Sequence, residues 1–246
     1  MTLRGAMALA LCLLAPAVWG DTIRVASFNA ELVRDGPGLL LRDIARGDDA
    51  QVAAFVAVVA EVAPDILVLQ GVDFDHRLAT LGALNAALAA AGAGYAEMIA
   101  LPTNRGLDSG RDLDGDGQAW GPGDAQGYGR FYGQGAMAIL SRFPIRRESL
   151  RDFTPLRWAD LPGALRPERP DGTAFPTPQA WEMRRLSSSG HWVVPVDTPL
   201  GVLSVLAFHA GPPVFDGPED ANGRRNHDEI VFWQRLLDGD LGAPPG

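Results

Sequence analysis

The chain has 246 residues, 47% of them hydrophobic, with 21 basic and 30 acidic side chains and a net charge of -9. That length and apolar share suit one substantial core and leave two full domains cramped, while 29 Gly and 19 Pro between recurring apolar runs indicate a loop-rich body rather than a disordered one. A pI near 4.9 excludes long-range attraction of polyanions, although a few arginines and bridging cations suffice to hold a phosphate.

Residues 1–20 form a unit of their own. Arg4 precedes an apolar run from Ala6 to Val18, and Val18-Trp19-Gly20 sets up a cut before Asp21, which reads as a secretory signal peptide and an exported, periplasmic or extracellular product. A retained anchor is the alternative, although the run is short of the roughly 20 apolar residues that a membrane span needs. The single cysteine, Cys12, falls inside this segment, so the domain expected over 21–246 has no thiol and no disulfide.

Thr22 to Phe28 then reads as a first strand ending at Asn29, and Asp49 to Val62 as a helix that Pro64 stops. A buried strand from Ile66 to Gln70 runs into a turn carrying Asp73, Asp75 and His76. Leu78 to Ala91 is a second helix, ended by Gly92. This alternation predicts a layered α/β fold. From Thr103 to Gly133 the pattern dissolves into glycine and aspartate, as expected of an ordered functional loop. Strands follow at Gly135–Leu140, His191–Val196 and Val202–Phe208, with a proline-rich excursion over 155–178, and Arg225 to Leu237 is the last helix.

Polar groups stand where strands stop: Asn29, the Asp73/Asp75/His76 turn, Ser141-Arg142 and His209. Each has a plain structural reading, but together they suggest a site where strand ends converge. Asp112, Asp114 and Asp116 alternate in DLDGDG. That spacing suits a wrap around calcium or a solvated acidic turn, and Gly123 at the twelfth position excludes an EF-hand. Arg224, Arg225 and Asn226 at a helix start are read either as capping or as phosphate contacts. No G-x-S-x-G elbow or H-E-x-x-H is present, which removes the usual serine and zinc hydrolase signatures.

Arg24–Asn29 (RVASFN), Pro64–Gln70 (PDILVLQ), Gly135–Ile145 (GAMAILSRFPI) and Leu206–His209 (LAFH), in this order, resemble the endonuclease/exonuclease/phosphatase superfamily. The resemblance implies a two-sheet α/β sandwich and a phosphoesterase that uses a divalent metal, Mg2+ by expectation, and an activated water. By the same resemblance Asn29 orients metal or phosphate, and His209 meets the scissile phosphate. Where the family writes Gln-Glu this chain has Gln70-Gly71, which leaves Asp73 or Asp75 as replacement metal ligands. Arg142 is a candidate for the substrate phosphate beside Arg224, Arg225 and Asn226. Gly239-Asp240-Leu241-Gly242 only imitates the family's Gly-Asp-x-Asn, and no Ser-Asp-His follows. The expectation is therefore an incomplete sandwich without its last strands and an impaired hydrolase, the alternative being a non-catalytic module that binds Ca2+. Nucleic acid, phospholipid and inositol phosphate remain open as substrates, and no protein partner is indicated.

Overall fold

Apolar and polar residues alternate from Val25 to Leu32, so one face of this strand, β1, is buried while the other is left exposed. The computed structural model describes residues 22–242. The expected signal peptide over 1–20 lies outside the described residues, as do 243–246. Ala26, Phe28, Ala30 and Leu32 of β1 pack inward. Beside it, and parallel to it, runs β2 (Ile66–Val72), buried along its whole length. A central strand covered on both faces needs a continuous apolar run, and Ile66-Leu67-Val68-Leu69 supplies one. The crossover between them carries α1 (Leu39–Arg46) and α2 (Ala50–Val62). Asp49 caps α2, accepting the Val52 amide at 2.8 Å. After α3 (Ala79–Ala90), β3 (Glu97–Ile99) and β4 (Ala136–Ser141) complete a sheet of order β1-β2-β4-β3, in which β4 is antiparallel to both neighbours.

The second sheet is antiparallel, β5 (Arg151–Asp152), β6 (His191–Thr198) and β7 (Gly201–Phe208) in that order. Between β5 and β6 lies the six-residue α4 (Pro178–Met183), and α5 (Ala221–Asp238) follows β7. Three cores separate four layers. Helices α1 to α3 cover the outer face of the first sheet, with Phe55, Leu81, Leu84 and Leu88 against Leu67 and Leu69. Ile66, Val68, Met137 and Ile139 meet Trp192, Val194 and Val205 between the sheets. Phe232, Trp233 and Leu236 of α5 pack on Phe153 and Val193 behind the second sheet. Each fully buried apolar side chain stabilises this arrangement by about 1.5–3 kcal/mol. The fold is the expected two-sheet α/β sandwich, with β1 and β7 as edge strands.

The long glycine-rich stretch is ordered by hydrogen bonds. Asn104, fully buried, donates to the carbonyls of Thr154 and Ser187 at 2.8 Å, which ties this loop to the proline-rich excursion. A side chain at Gly127 would lie 1.8 Å from the Ser188 carbonyl oxygen, so close backbone approach requires glycine there. The last helix begins at Ala221, four residues before the expected start. Among the described residues no helix is long and apolar enough to cross a membrane.

Candidate functional site

Asn29 pairs in register with Gln70, after which both β1 and β2 bulge. The irregularity leaves Glu31 with φ of 49° and Gly71 with φ of 68°, both left-handed. A Cβ at position 71 would lie 2.7 Å from Asn29 Oδ1 and 2.9 Å from the Glu31 amide nitrogen. Real side chains do not tolerate such approaches, so this backbone requires glycine there and excludes the carboxylate expected at the end of β2. Glu31 stands beside the gap instead. Its Oε1 lies 3.4 Å from Asn29 Nδ2, and both side chains project from the exposed face of β1. Sequence reasoning missed Glu31. The signal was its position two residues after Asn29, which puts both on one face of a strand.

His209 follows β7 and faces the same end of the sandwich. Its Nδ1 is buried without a hydrogen-bond partner. Burial, reinforced by the Arg105 guanidinium, holds the imidazole below its ordinary pKa, and the Glu31 carboxylate opposes them. The ring is therefore neutral near pH 7 and has a free nitrogen. Arg105 donates from Nε to the Gln134 carbonyl at 3.0 Å and has no carboxylate within 4 Å among the described residues.

The other expected ligands are engaged elsewhere. Asp73 is buried and accepts the Gly135 amide at 3.0 Å and the Arg34 amide at 3.3 Å, and burial pushes its carboxyl up. Asp75 accepts the Arg77, Ala79 and Thr80 amides at 3.1, 2.9 and 2.8 Å, covering the start of α3. These amides hold its pKa down against burial, the largest single influence on it.

The predicted phosphate contacts do not converge. Arg142 follows β4, which runs antiparallel to β2, so it lies at the opposite end of the sheet from Asn29, 3.5 Å from Asp65. Arg224 donates to the Arg166 carbonyl at 2.9 Å, and Asn226 to that of Gly211 at 2.8 Å. Arg225 is buried and donates to the carbonyls of Leu186, Gln126, Arg185 and Ser187. These three organise loops. Glu229, also buried and missed in the sequence, accepts the Ser188 and Gly211 amides and the Ser188 hydroxyl beside Arg225.

Asp112, Asp114 and Asp116 each offer a carboxylate oxygen within 4.8 Å of the others. Asp112 also accepts the amides of Gly115 and Gly117, which curls the loop. Burial, together with the charges of Asp124, Asp116 and Asp112, raises the Asp114 pKa. A bound dication would relieve that repulsion.

Residues 26–246 match the family model described as Endonuclease/Exonuclease/phosphatase family. No curated protein matches. Similar solved structures include an endonuclease/exonuclease/phosphatase from Beutenbergia cavernae DSM 12333, at 21% identity and TM-score 0.46 over 88% of this chain and 43% of that one. Another is sphingomyelinase C from Streptomyces griseocarneus, at 19% identity and TM-score 0.43 over 91% of this chain and 61% of that one. The chain thus spans 43% and 61% of the length of these two proteins.

Proposed function

The chain belongs to the endonuclease/exonuclease/phosphatase family, a class of phosphoester-hydrolysing enzymes, and from that membership we propose an exported, metal-dependent phosphoesterase with its chemistry at Asn29, Glu31 and His209. The observation that carries the reading is a carboxamide and a carboxylate side by side on β1, with an imidazole after β7 whose Nδ1 is buried and unpartnered and which lies within reach of the Glu31 charge.

This donor set fits a hard divalent cation. Magnesium needs only one or two protein carboxylates and completes its shell with water and phosphate oxygens. Glu31 and Asn29 would hold it, and when bound it would polarise a phosphoryl oxygen and lower the pKa of water. The protein's own groups do the rest. Asn29 orients the ester through its amide, and the neutral His209 accepts or returns a proton near pH 7. The Arg105 charge favours a phosphate close to His209. With one carboxylate where the family carries its glutamate on β2, turnover is expected to be slow.

The test is hydrolysis of bis(p-nitrophenyl) phosphate and p-nitrophenyl phosphate by the full chain with magnesium. His209→Ala is expected to lower kcat by about 100-fold or more, and Glu31→Gln to raise the magnesium needed for half-maximal rate. Equal rates in wild type and His209→Ala would refute the assignment.

One observation favours a second reading, a calcium-binding module without turnover: the three converging carboxylates of the 112–117 loop. Calcium at about 100 times its dissociation constant would then stabilise the fold by about 2.7 kcal/mol. Asp114→Asn would remove that gain, and no substrate would be cleaved.

A further inference from the structure

A cavity of about 860 Å³ opens beneath the 211–217 loop, and Arg105, Arg184 and Arg225 line it. That volume is enough for a small organic ligand. Arg225 is saturated by backbone carbonyls, but Arg184 is not. It is 7% exposed, its Nε is buried without a partner, and its single hydrogen bond reaches the Leu113 carbonyl at 3.3 Å. Among the described residues no carboxylate lies within 4 Å of it, although it lies over the Trp158 ring at 5.8 Å. Burial and the neighbouring Arg225 charge push its pKa down to about 9, against the more distant Glu229 and Asp114 carboxylates, which oppose the fall only in part. A buried guanidinium with no paired carboxylate is destabilising unless an anion compensates it.

The walls say what the rest of the anion looks like. Tyr128, Phe175 and Phe215 line the same cavity. Phe215 is 90% exposed and sits at φ of 70°, a strained arrangement that apolar burial does not explain. Three rings and buried arginines lining one cavity suit a ligand with a flat group and an oxyanion. Asp114, Asp216 and Glu219 also line the cavity, and a long polyanion would be repelled by them.

We propose that this cavity binds a small organophosphate carrying an aromatic ring, the phosphate held by Arg184 and Arg105 and the ring against Tyr128, Phe175 and Phe215. That such a ligand is also the substrate rests on the phosphoesterase reading above, through Arg105, which lines the cavity and whose charge reaches His209.

Calorimetric titration of the full chain in EDTA separates binding from catalysis, with phenyl phosphate, inorganic phosphate and phenol as probes. Phenyl phosphate is expected to bind at least about tenfold more tightly than inorganic phosphate, and phenol not to bind. Arg184→Met is expected to weaken phenyl phosphate about tenfold or more without lowering Tm, because it removes a buried charge that has no paired carboxylate. Arg184→Lys should fall between. Phe215→Ala, at a side chain too exposed to support the fold, should weaken phenyl phosphate and leave inorganic phosphate unchanged. Wild-type affinity in Arg184→Met, or in Arg184→Lys together with Phe215→Ala should the methionine variant not fold, would overturn the proposal. Selective binding in a wild type that hydrolyses no ester would sink the phosphoesterase reading alone. Hydrolysis without selective binding would sink the cavity alone.

Discussion

Position 71 shows how a backbone conformation limits what a site can carry. Gly71 is left-handed and packs against the Glu31 backbone and the Asn29 side chain, so a glutamate there has to distort both strands. Gly71→Glu is therefore expected to lose about 1–3 kcal/mol of stability, read as a lower denaturation midpoint, with no gain in hydrolysis. A variant that is both as stable as wild type and faster would contradict this. Another single residue governs acid sensitivity. His191 is fully buried among Phe208, Phe232 and Trp233, its Nε2 2.9 Å from the Glu229 carbonyl and its Nδ1 unpartnered. Burial pushes its pKa from 6.5 down to about 4, with the Arg225 charge adding to the fall and the Glu229 carbonyl opposing it. Below pH 6.5 the unfolded chain binds a proton that the folded chain refuses, so this contribution is complete above the unfolded pKa and is lost as pH falls toward about 4. The loss is roughly 3 kcal/mol at most. His191→Gln keeps a donor for the Glu229 carbonyl and should flatten the dependence of stability on pH between 6.5 and 4 relative to wild type. An unchanged slope would mean that other groups set it.

At the scale of elements, a carboxylate read as a metal ligand also holds the start of a helix that it precedes. Asp75 covers the first amides of α3, so Asp75→Ala is expected to cost about 1 kcal/mol and lower Tm by about 2–4 °C, leaving phosphoester hydrolysis at the wild-type rate. Collapse of activity with Tm intact would restore Asp75 as a ligand. The sequence shows β2, α2 and β7 because apolar runs and period make them legible, whereas the first strand, expected to end at Asn29, continues to Leu32 because Ala30 and Leu32 keep the inward alternation. Helix α1 is hidden by its length of 8 residues between Gly38 and Gly47, and β3 and β5 have only 3 and 2 residues. The start of α5 is hidden for another reason: its first turn carries Asn222 and Gly223, poor helix formers, so the expected helix begins only at Arg225. Arg142 was misplaced because strand direction is not written in a strand's own residues.

The whole molecule is open on one side. β1 and β7 are edge strands, and Val25, Val202, Leu203 and Leu206 on them are 48%, 50%, 37% and 38% exposed. A groove between the two edges exposes part of the inter-sheet core, including Val68 and Val205. Unpaired strand edges with apolar neighbours are templates for further pairing. The net charge of -9 opposes that encounter between two copies, because like charges repel over about 10 Å at 0.1 M salt and over about 3 Å at 1 M. Self-association should therefore grow with ionic strength, the reverse of an assembly held by ion pairs. Light scattering on the purified chain is expected to show a higher average mass at about 1 M salt than at about 0.1 M. Val202→Lys, which places a charge on the β7 edge outside the packed cores, should hold the mass at that of a monomer in both. A mass that falls with salt, or that Val202→Lys does not alter, would show that the open side is not where copies meet.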